Sequence, residues 1–535
     1  MSCDLSDPSQ AFEAEMLSRQ KPMNDVIDRG DSAVQQYYNG TSFFVTGGSG
    51  FLGKQLIEKL FRSCNVKKMF ILLRPKKGKS MQERLDYMLK DAVFDLVRSK
   101  KPRIADRIVP MEGNVADVRL GLNNKDWAKI TAEVDMVIHM AATIRFDEPL
   151  RVATLTNVRG TREVVALARD CAKLRNLVYV STAYTHASRE RVGKEVCERF
   201  YPAPVPPYVL VAMAEQMDDD RLNRITPGLI KGWPNTYTFT KAVAEEVVRA
   251  STADLPVCVV RPPIVVNSYL EPLPGWLDIS CVMGPTGIMV GVALGVLHVF
   301  FVDVDNRLAL VPVDYVNNAI IAAGWDAAQR RGRGDRDPPV YTVARKECFM
   351  PWSFAGDVMR TKSRQFASPK AIWYCSLIET KNRLLYWILT WLLHYIPAYI
   401  LDGVCAVIPV KPKEIPSFVK LYTKIDKMSY VYRYFLSNSW EFRDDNVRSM
   451  IANMSDVDKV IFNCDLTTVS FLDFIRAWTI GLKKYIVKDG LKDSVASAKK
   501  QKVLCVANYV LLVLYFYVLW TIFSLFFSFL KYMLF

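Results

Sequence analysis

Ser42-Phe43-Phe44-Val45-Thr46-Gly47-Gly48-Ser49-Gly50-Phe51-Leu52-Gly53-Lys54 is the stretch whose reading decides the fold. A short apolar run, Phe43 to Val45, leads into glycines at 47, 50 and 53, and Leu52, Leu56, Ile57 and Leu60 follow at helical spacing. The pattern predicts strand, tight turn, helix, the entry to a dinucleotide fold. Gly47 permits the sharp turn, Gly50 lets the backbone approach a pyrophosphate, and Gly53 lets the helix pack close on the strand. The free N–H groups of the helix start, at Phe51 and Leu52, then face the phosphates. The spacing is G-x-x-G-x-x-G, and alone it also fits an ordinary glycine-rich loop.

Working outward, the chain has 535 residues and 50% hydrophobic composition, enough for more than one folded unit. Its formal charge of +15 suits a membrane surface or a phosphorylated substrate; no zinc-finger spacing or aromatic-basic RNA motif is present, so nucleic acid is not expected as a partner. Eleven scattered cysteines without a C-x-x-C pair fit reduced thiols. Residues 1–40 carry Asp4, Asp7, Glu13 and Glu15 and no apolar signal region, and are expected to be a flexible lead-in. Residues 503–530 contain no formal charge, longer than the roughly 20 residues that cross a bilayer. Lys499, Lys500 and Lys502 precede this predicted transmembrane helix, which leaves the preceding domains in the cytosol.

After the glycine turn, a second strand over residues 69–73 ends in Arg74. A basic residue there, where an acidic one would bind ribose hydroxyls, suits a 2′-phosphate and predicts NADPH; Lys76, Lys77 and Lys79 fit a solvated loop. A strand over 107–111 leads to Asn114, which can meet an adenine edge or simply form a turn. The run 136–140 holds His139, expected as a packed core histidine, and ends at Ala141, small enough for a cofactor to lie over the strand end. A helix over 157–172 and a strand over 177–180 deliver Ser181 and Thr182 where ligands bind an open parallel sheet. The helix opened by Pro234 and Asn235 then carries Tyr237 and Lys241 on one face. An unperturbed phenol has a pKa of about 10, and a nearby ammonium favours the phenolate, bringing Tyr237 toward a range useful for proton transfer. The order of these parts is that of a short-chain dehydrogenase/reductase, a Rossmann-type doubly wound α/β fold with a parallel sheet.

Further on, residues 281–302 are uncharged, but Gly284, Pro285, Gly287, Gly291 and Gly295 favour a loop and helix near lipid or an acyl chain over a second span. Residues 384–401, with His394 and Pro397, read as a buried or interfacial helix. The expected organisation is a lead-in over 1–40, an NADPH-binding reductase domain with its substrate-binding part over 41–362, a small helical domain over 363–500, and the transmembrane helix over 503–530.

Taken together, these stretches resemble the fatty acyl-CoA reductases of the animal and insect type, across nearly all of residues 41–490. The resemblance is carried by 46–54, Ala141-Ala142-Thr143-Ile144-Arg145-Phe146-Asp147-Glu148-Pro149-Leu150, Val180-Ser181-Thr182-Ala183-Tyr184, Trp233 to Lys241, Glu271-Pro272-Leu273-Pro274-Gly275-Trp276 and Gly284-Pro285-Thr286-Gly287. It implies NADPH-dependent reduction of a long-chain acyl-CoA to a primary alcohol with release of CoA. It also implies that Gly47, Gly50 and Gly53 cradle the pyrophosphate, that Tyr237 donates the proton, that Lys241 supports it and binds ribose, and that Ser181 or Thr182 supplies a third hydroxyl, with strand-end position favouring Thr182. Asn114 stands where the family commonly has Asp, and Leu294 where it often has Lys. The expected setting is a membrane of the endoplasmic reticulum or peroxisome, with membrane lipid as a partner; a homo-oligomer is compatible. A sterol or other lipid-carbonyl reductase of the same fold and a non-catalytic cofactor sensor are the rival readings.

Overall fold

Seven strands form the central sheet of this computed structural model, which describes residues 7–251, 255–282, 284–361, 363–407 and 417–534. They are β1 (Ser42–Thr46), β2 (Lys68–Leu73), β3 (Ile108–Glu112), β4 (Met136–His139), β5 (Asn176–Val180), β6 (Val257–Arg261) and β7 (Val340–Thr342). The order is β7-β6-β5-β4-β1-β2-β3, and every pairing is parallel. Such a sheet is covered on both faces, which is why β1 and β5 are buried at every residue. Phe43 and Val45 join one hydrophobic cluster and Phe44 the other, one cluster on each side. Strand order reverses between β1 and β4, so the ligand crevice lies beyond their carboxyl ends.

The segment expected as a flexible lead-in is instead helical from Pro8. Helices α1 (Pro8–Ser18), α2 (Lys21–Ile27) and α3 (Ala33–Tyr38) bury Phe12, Met16, Met23, Ile27, Val34 and Tyr38 in the cluster that contains Phe43. The Tyr38 hydroxyl donates to Ile321 O at 2.7 Å, and the Gln20 side chain donates to Leu270 O at 2.6 Å. Each short helix carries its apolar residues at spacing four in a polar background, so bulk polarity hides the buried face. Asp4 lies outside the described residues.

On that same side of the sheet lies α4 (Phe51–Ser63); α5 (Gly160–Asp170) and α6 (Thr236–Arg249) cover the other. The uncharged run over 281–302 does not form one span. Its described residues turn into α7 (Pro285–Ala293) and a short strand, Val299–Phe301. Helix α8 (Val313–Gly332) packs on α4 and β5, and its buried Asp314 accepts N–H groups from Tyr269, Leu270 and Glu271, fixing the loop before Trp276.

The C-terminal region shares the reductase core. Met450, Ile461, Ile475 and Trp478 belong to the same cluster as β1. Glu441–Phe442 pairs in parallel with Glu195–Val196, α9 (Phe418–Leu436) crosses the site, and α10 (Phe471–Gly481) touches the 271–276 loop. A Cβ at Gly275 would stand 2.1 Å from Ala477 O, so only glycine permits this crossing. The expected boundary at Lys362 lies outside the described residues.

Finally α11 (Ser494–Leu534) runs for 41 residues. Its first turns bury Ser494, Ser497, Gln501 and Asn508 against the body, and beyond them it is apolar and exposed. The segment Arg383–Val407 has a comparable outward face: Thr390, His394 and Ala398 point inward, while Trp387 is 60% exposed. It is therefore not a buried helix. The Tyr515 hydroxyl of α11 donates to Leu392 O at 2.9 Å, setting the two apolar elements side by side.

Candidate active site

The glycine turn sits at the crevice. Gly47 has φ +78°, and a Cβ on it would lie 2.8 Å from Ala141 N, so the turn after β1 closes directly onto the end of β4. Gly53 is as constrained, with Gly47 O 2.3 Å from its would-be Cβ. Among the described residues a Cβ on Gly50 would meet only Gly47 O, at 3.3 Å, and no side chain caps the N-terminus of α4. An open cradle with uncapped N–H donors fits the pyrophosphate of a nicotinamide dinucleotide. Phe51 stacks on Trp276 at 5.2 Å, and Leu52 O accepts from the Asn317 side chain at 3.0 Å. Arg74 lies exposed just past β2. Asn114, past β3, spends its side chain on Ala116 N and Asp117, each at 3.3 Å, the turn-forming option.

Beyond β5 the candidate reactive groups converge. The Asn235 side chain accepts from Thr238 N and starts α6, which aims Tyr237 and Lys241 at the strand end. Lys241 Nζ donates to Val180 O at 2.8 Å and the Tyr179 hydroxyl at 3.3 Å, and lies 4.7 Å from the Tyr179 ring centre. Burial pushes the ammonium down to about 7, although the Glu245 carboxylate opposes this. Burial likewise pushes the Tyr237 phenol up to about 12, against a hydrogen bond with Thr182. The expected lowering of Tyr237 by its lysine is thus reversed: both groups are desolvated, and each is driven toward its neutral form.

Ser181 and Thr182 part company. The Ser181 hydroxyl donates to Glu245 Oε1 at 2.6 Å and contacts Thr185 Oγ1 at 2.9 Å. Arg261 clasps the same carboxylate through Nε at 2.9 Å and Nη2 at 2.6 Å, and His186 adds a contact at 3.2 Å. Burial would raise Glu245, yet Arg261 and His186 hold it far below the usual carboxylate range. His139 is a core group, bonded to Thr46 at 2.7 Å and Thr161 at 3.1 Å and pushed by burial to about 3.

Other groups carried no sequence signal. Asn157 accepts from Thr143 N at 2.9 Å and donates to Thr240 at 3.0 Å, tying the loop after β4 to α6. Phe146 stacks on Tyr237 at 5.8 Å and meets Tyr432 at 5.4 Å and Phe435 at 5.2 Å, both from α9. Among the described residues no group of His, Cys, Asp and Glu could hold a metal ion.

Comparison with known proteins agrees with this architecture. The NAD-binding domain of the family described as Male sterility protein matches residues 45–320, and a second domain of the same description, Sterile, matches 393–489. The chain is similar to "Fatty acyl-CoA reductase wat" of Drosophila melanogaster, with 36% identity over 94% of this chain and 95% of that protein. It is 35% identical to "Fatty acyl-CoA reductase 1" of Rattus norvegicus, over 87% and 88% of the two chains. Among solved structures, the terminal reductase domain of the myxalamid pathway superposes with a TM-score of 0.54 at 18% identity, over 83% of this chain and 90% of that one. A nonribosomal peptide synthetase reductase domain from Mycobacterium tuberculosis gives 0.54 at 19% identity, over 86% and 97%. These last two share the fold.

Proposed function

Because the chain belongs to the fatty acyl-CoA reductase family, we propose that it reduces fatty acyl-CoA to fatty alcohol with NADPH at a membrane surface, Tyr237, Thr182 and Lys241 forming its reactive centre. The observation that carries the site assignment is the convergence of these three residues at the end of β5, beside the crevice onto which the Gly47 turn closes. Gly47, Gly50, Phe51, Leu52, Gly53 and Ala141 would hold the dinucleotide, with Asn114 toward its adenine end. The exposed Arg74 favours a 2′-phosphate and hence NADPH. When bound, the cofactor supplies hydride, two equivalents for each thioester carried to alcohol.

The chain's own residues do the rest. Hydroxyls of Tyr237 and Thr182 donate to the thioester oxygen as negative charge develops on it, worth about 3 kcal/mol per donor. The tetrahedral adduct collapses, its C–S bond breaks, CoA leaves as thiolate and an aldehyde remains. In the second reduction Tyr237 gives its proton to the alkoxide. A phenol held at about 12 is protonated at neutral pH, as a donor must be. Ser181, whose hydroxyl is committed to Glu245, is a positioning residue here, and Thr182 the third hydroxyl. Residues 503–530 of α11 serve as a single-pass anchor with the reductase facing the cytosol, in the endoplasmic reticulum or peroxisome, where long-chain substrate and product partition.

Tyr237→Phe is expected to abolish alcohol formation while NADPH still binds, read by product analysis and cofactor fluorescence. Normal turnover by this variant would sink the site assignment. The wild type should consume two NADPH and release one CoA per alcohol; a lipid-carbonyl reductase would consume one and release none.

A further inference from the structure

Helix α7 joins two parts of the molecule that neither motif reading nor family comparison connects. At its N-terminus, Gly284 takes φ +71°, a Cβ on it would lie 3.9 Å from the Tyr432 ring, and its backbone hydrogen-bonds the Tyr432 hydroxyl. Tyr432 meets Phe146, and Phe146 stacks on Tyr237. Successive rings therefore lead from the reactive phenol to the first turn of α7.

From that turn onward, Pro285, Ile288, Met289 and Val292 line a cavity of about 360 Å³. Their spacing of i, i+3, i+4 and i+7 places them on one helix face, a strip about 10 Å long. Trp352 and Leu482 also line the cavity, as do Ala498 and Cys505 from the turns of α11 that dock on the body. The exposed side chains of Arg364 and Lys502 border it there. In a well-packed interior an apolar void of this size is not expected without an occupant.

We propose that this cavity receives the distal carbons of the acyl chain, so that α7 and the base of α11 measure chain length. The inference rests on the reading that the thioester reacts at Tyr237. The occupant follows from three observations: the cavity is lined from Pro285, next to the Gly284 at which the ring contacts from Tyr237 end, it is lined by apolar side chains over the length of α7, and its wall includes Ala498 and Cys505 of α11, the helix whose later turns are apolar and exposed. A chain long enough to reach the outer end meets Arg364 and Lys502, which sets an upper bound on length.

The test fills the cavity from two independent elements. Ala293→Phe on α7 and Ala498→Phe on α11 are each expected to raise the ratio of turnover on decanoyl-CoA to that on octadecanoyl-CoA roughly tenfold or more, since each excluded methylene loses its transfer energy. Cofactor fluorescence checks that each variant is folded. An octadecanoyl-CoA analogue with a photoreactive group at its methyl end should label peptides from 285–293 or 498–505 of the wild-type protein in detergent or vesicles. Folded variants whose turnover ratio matches the wild type, or labelling confined to other peptides, overturn the proposal. A wild type inactive toward every acyl-CoA defeats the functional reading and this one with it, whereas an active wild type with length-blind variants defeats this one alone.

Discussion

Two buried charge clusters flank α4 and α6, and they differ in how their charges pair. Behind α4, Lys59 reaches both Glu271 oxygens at 2.6 and 2.7 Å, and Arg62 bridges Glu271 at 2.6 Å and Glu58 at 2.7 Å. Asn318 adds a hydrogen bond to Glu271 at 2.9 Å. Two cations meet two carboxylates. Burial would raise the Glu271 carboxyl, but Lys59 and Arg62 hold it at about 2. Under α6, Glu245 is occupied by Arg261, His186 and Ser181, and Lys241 is left with a carbonyl and a phenol, without a carboxylate at ion-pair distance among the described residues. The lesson is one of stoichiometry: counter-charges lock Glu271 and Arg62, although burial still raises Glu58 and lowers Lys59, while the surplus Lys241 stays titratable near neutrality.

Unpairing the first cluster should have the largest effect. Glu271→Ala strands the buried Lys59 and leaves Arg62 with Glu58 alone, and is expected to lose about 3–5 kcal/mol of stability, measured by denaturant unfolding. Activity per folded molecule should remain near the wild-type value. In the second cluster, Glu245→Gln leaves Arg261 bonded to Cys197 O and Arg199 O, so a smaller loss of about 2–3 kcal/mol is expected. It also removes the one group that raises Lys241, so the midpoint in the pH profile of cofactor affinity should move below 7.

Lys241→Met sharpens the contrast by separating stability from activity. Removing a charge without a counter-ion should change stability by less than about 1 kcal/mol, or raise it, while turnover falls about a hundredfold. Equal losses in both would place Lys241 among the locked charges. Linkage supplies a further test. Lys241 is lowered in the folded state to about 7 from 10.5, so the unfolded chain binds the extra proton between these values. Its contribution to stability therefore rises with pH across that window and is absent below about 7. Hydrogen bonds to the cofactor's ribose hydroxyls should favour its charged form, so binding near pH 8 takes up protons and weakens as pH rises. Calorimetry in buffers of different ionisation enthalpy checks this.

Local chemistry was legible because its signal is local. The glycine turn needs Gly47 and Gly53 for steric reasons that spacing reveals, Tyr237 and Lys241 share a face through helical periodicity, and an uncharged run over 503–530 announces its apolar surface. Other features depend on partners far along the chain. Phe146 and Tyr432 are 286 positions apart yet in ring contact, and the inward Thr390 and His394 invert the usual arrangement of a helix, so composition alone leaves burial and an interface both open. The N-terminal helices were hidden because a few apolar residues at spacing four are outweighed by their polar neighbours.

By itself, then, the sequence determined the strand-turn-helix entry, the order of strands and candidate site residues along the chain, and the apolar tail, since each is set by backbone sterics or by hydrophobic pattern within a few turns. Only the tertiary structure decided that Ser181 serves Glu245 while Thr182 faces Tyr237, that Lys241 is the unmatched charge, and that α7 links the reactive phenol to a cavity at the base of α11. Those outcomes rest on which distant groups share a desolvated space, and burial there changes both hydrogen-bond allegiance and proton affinity.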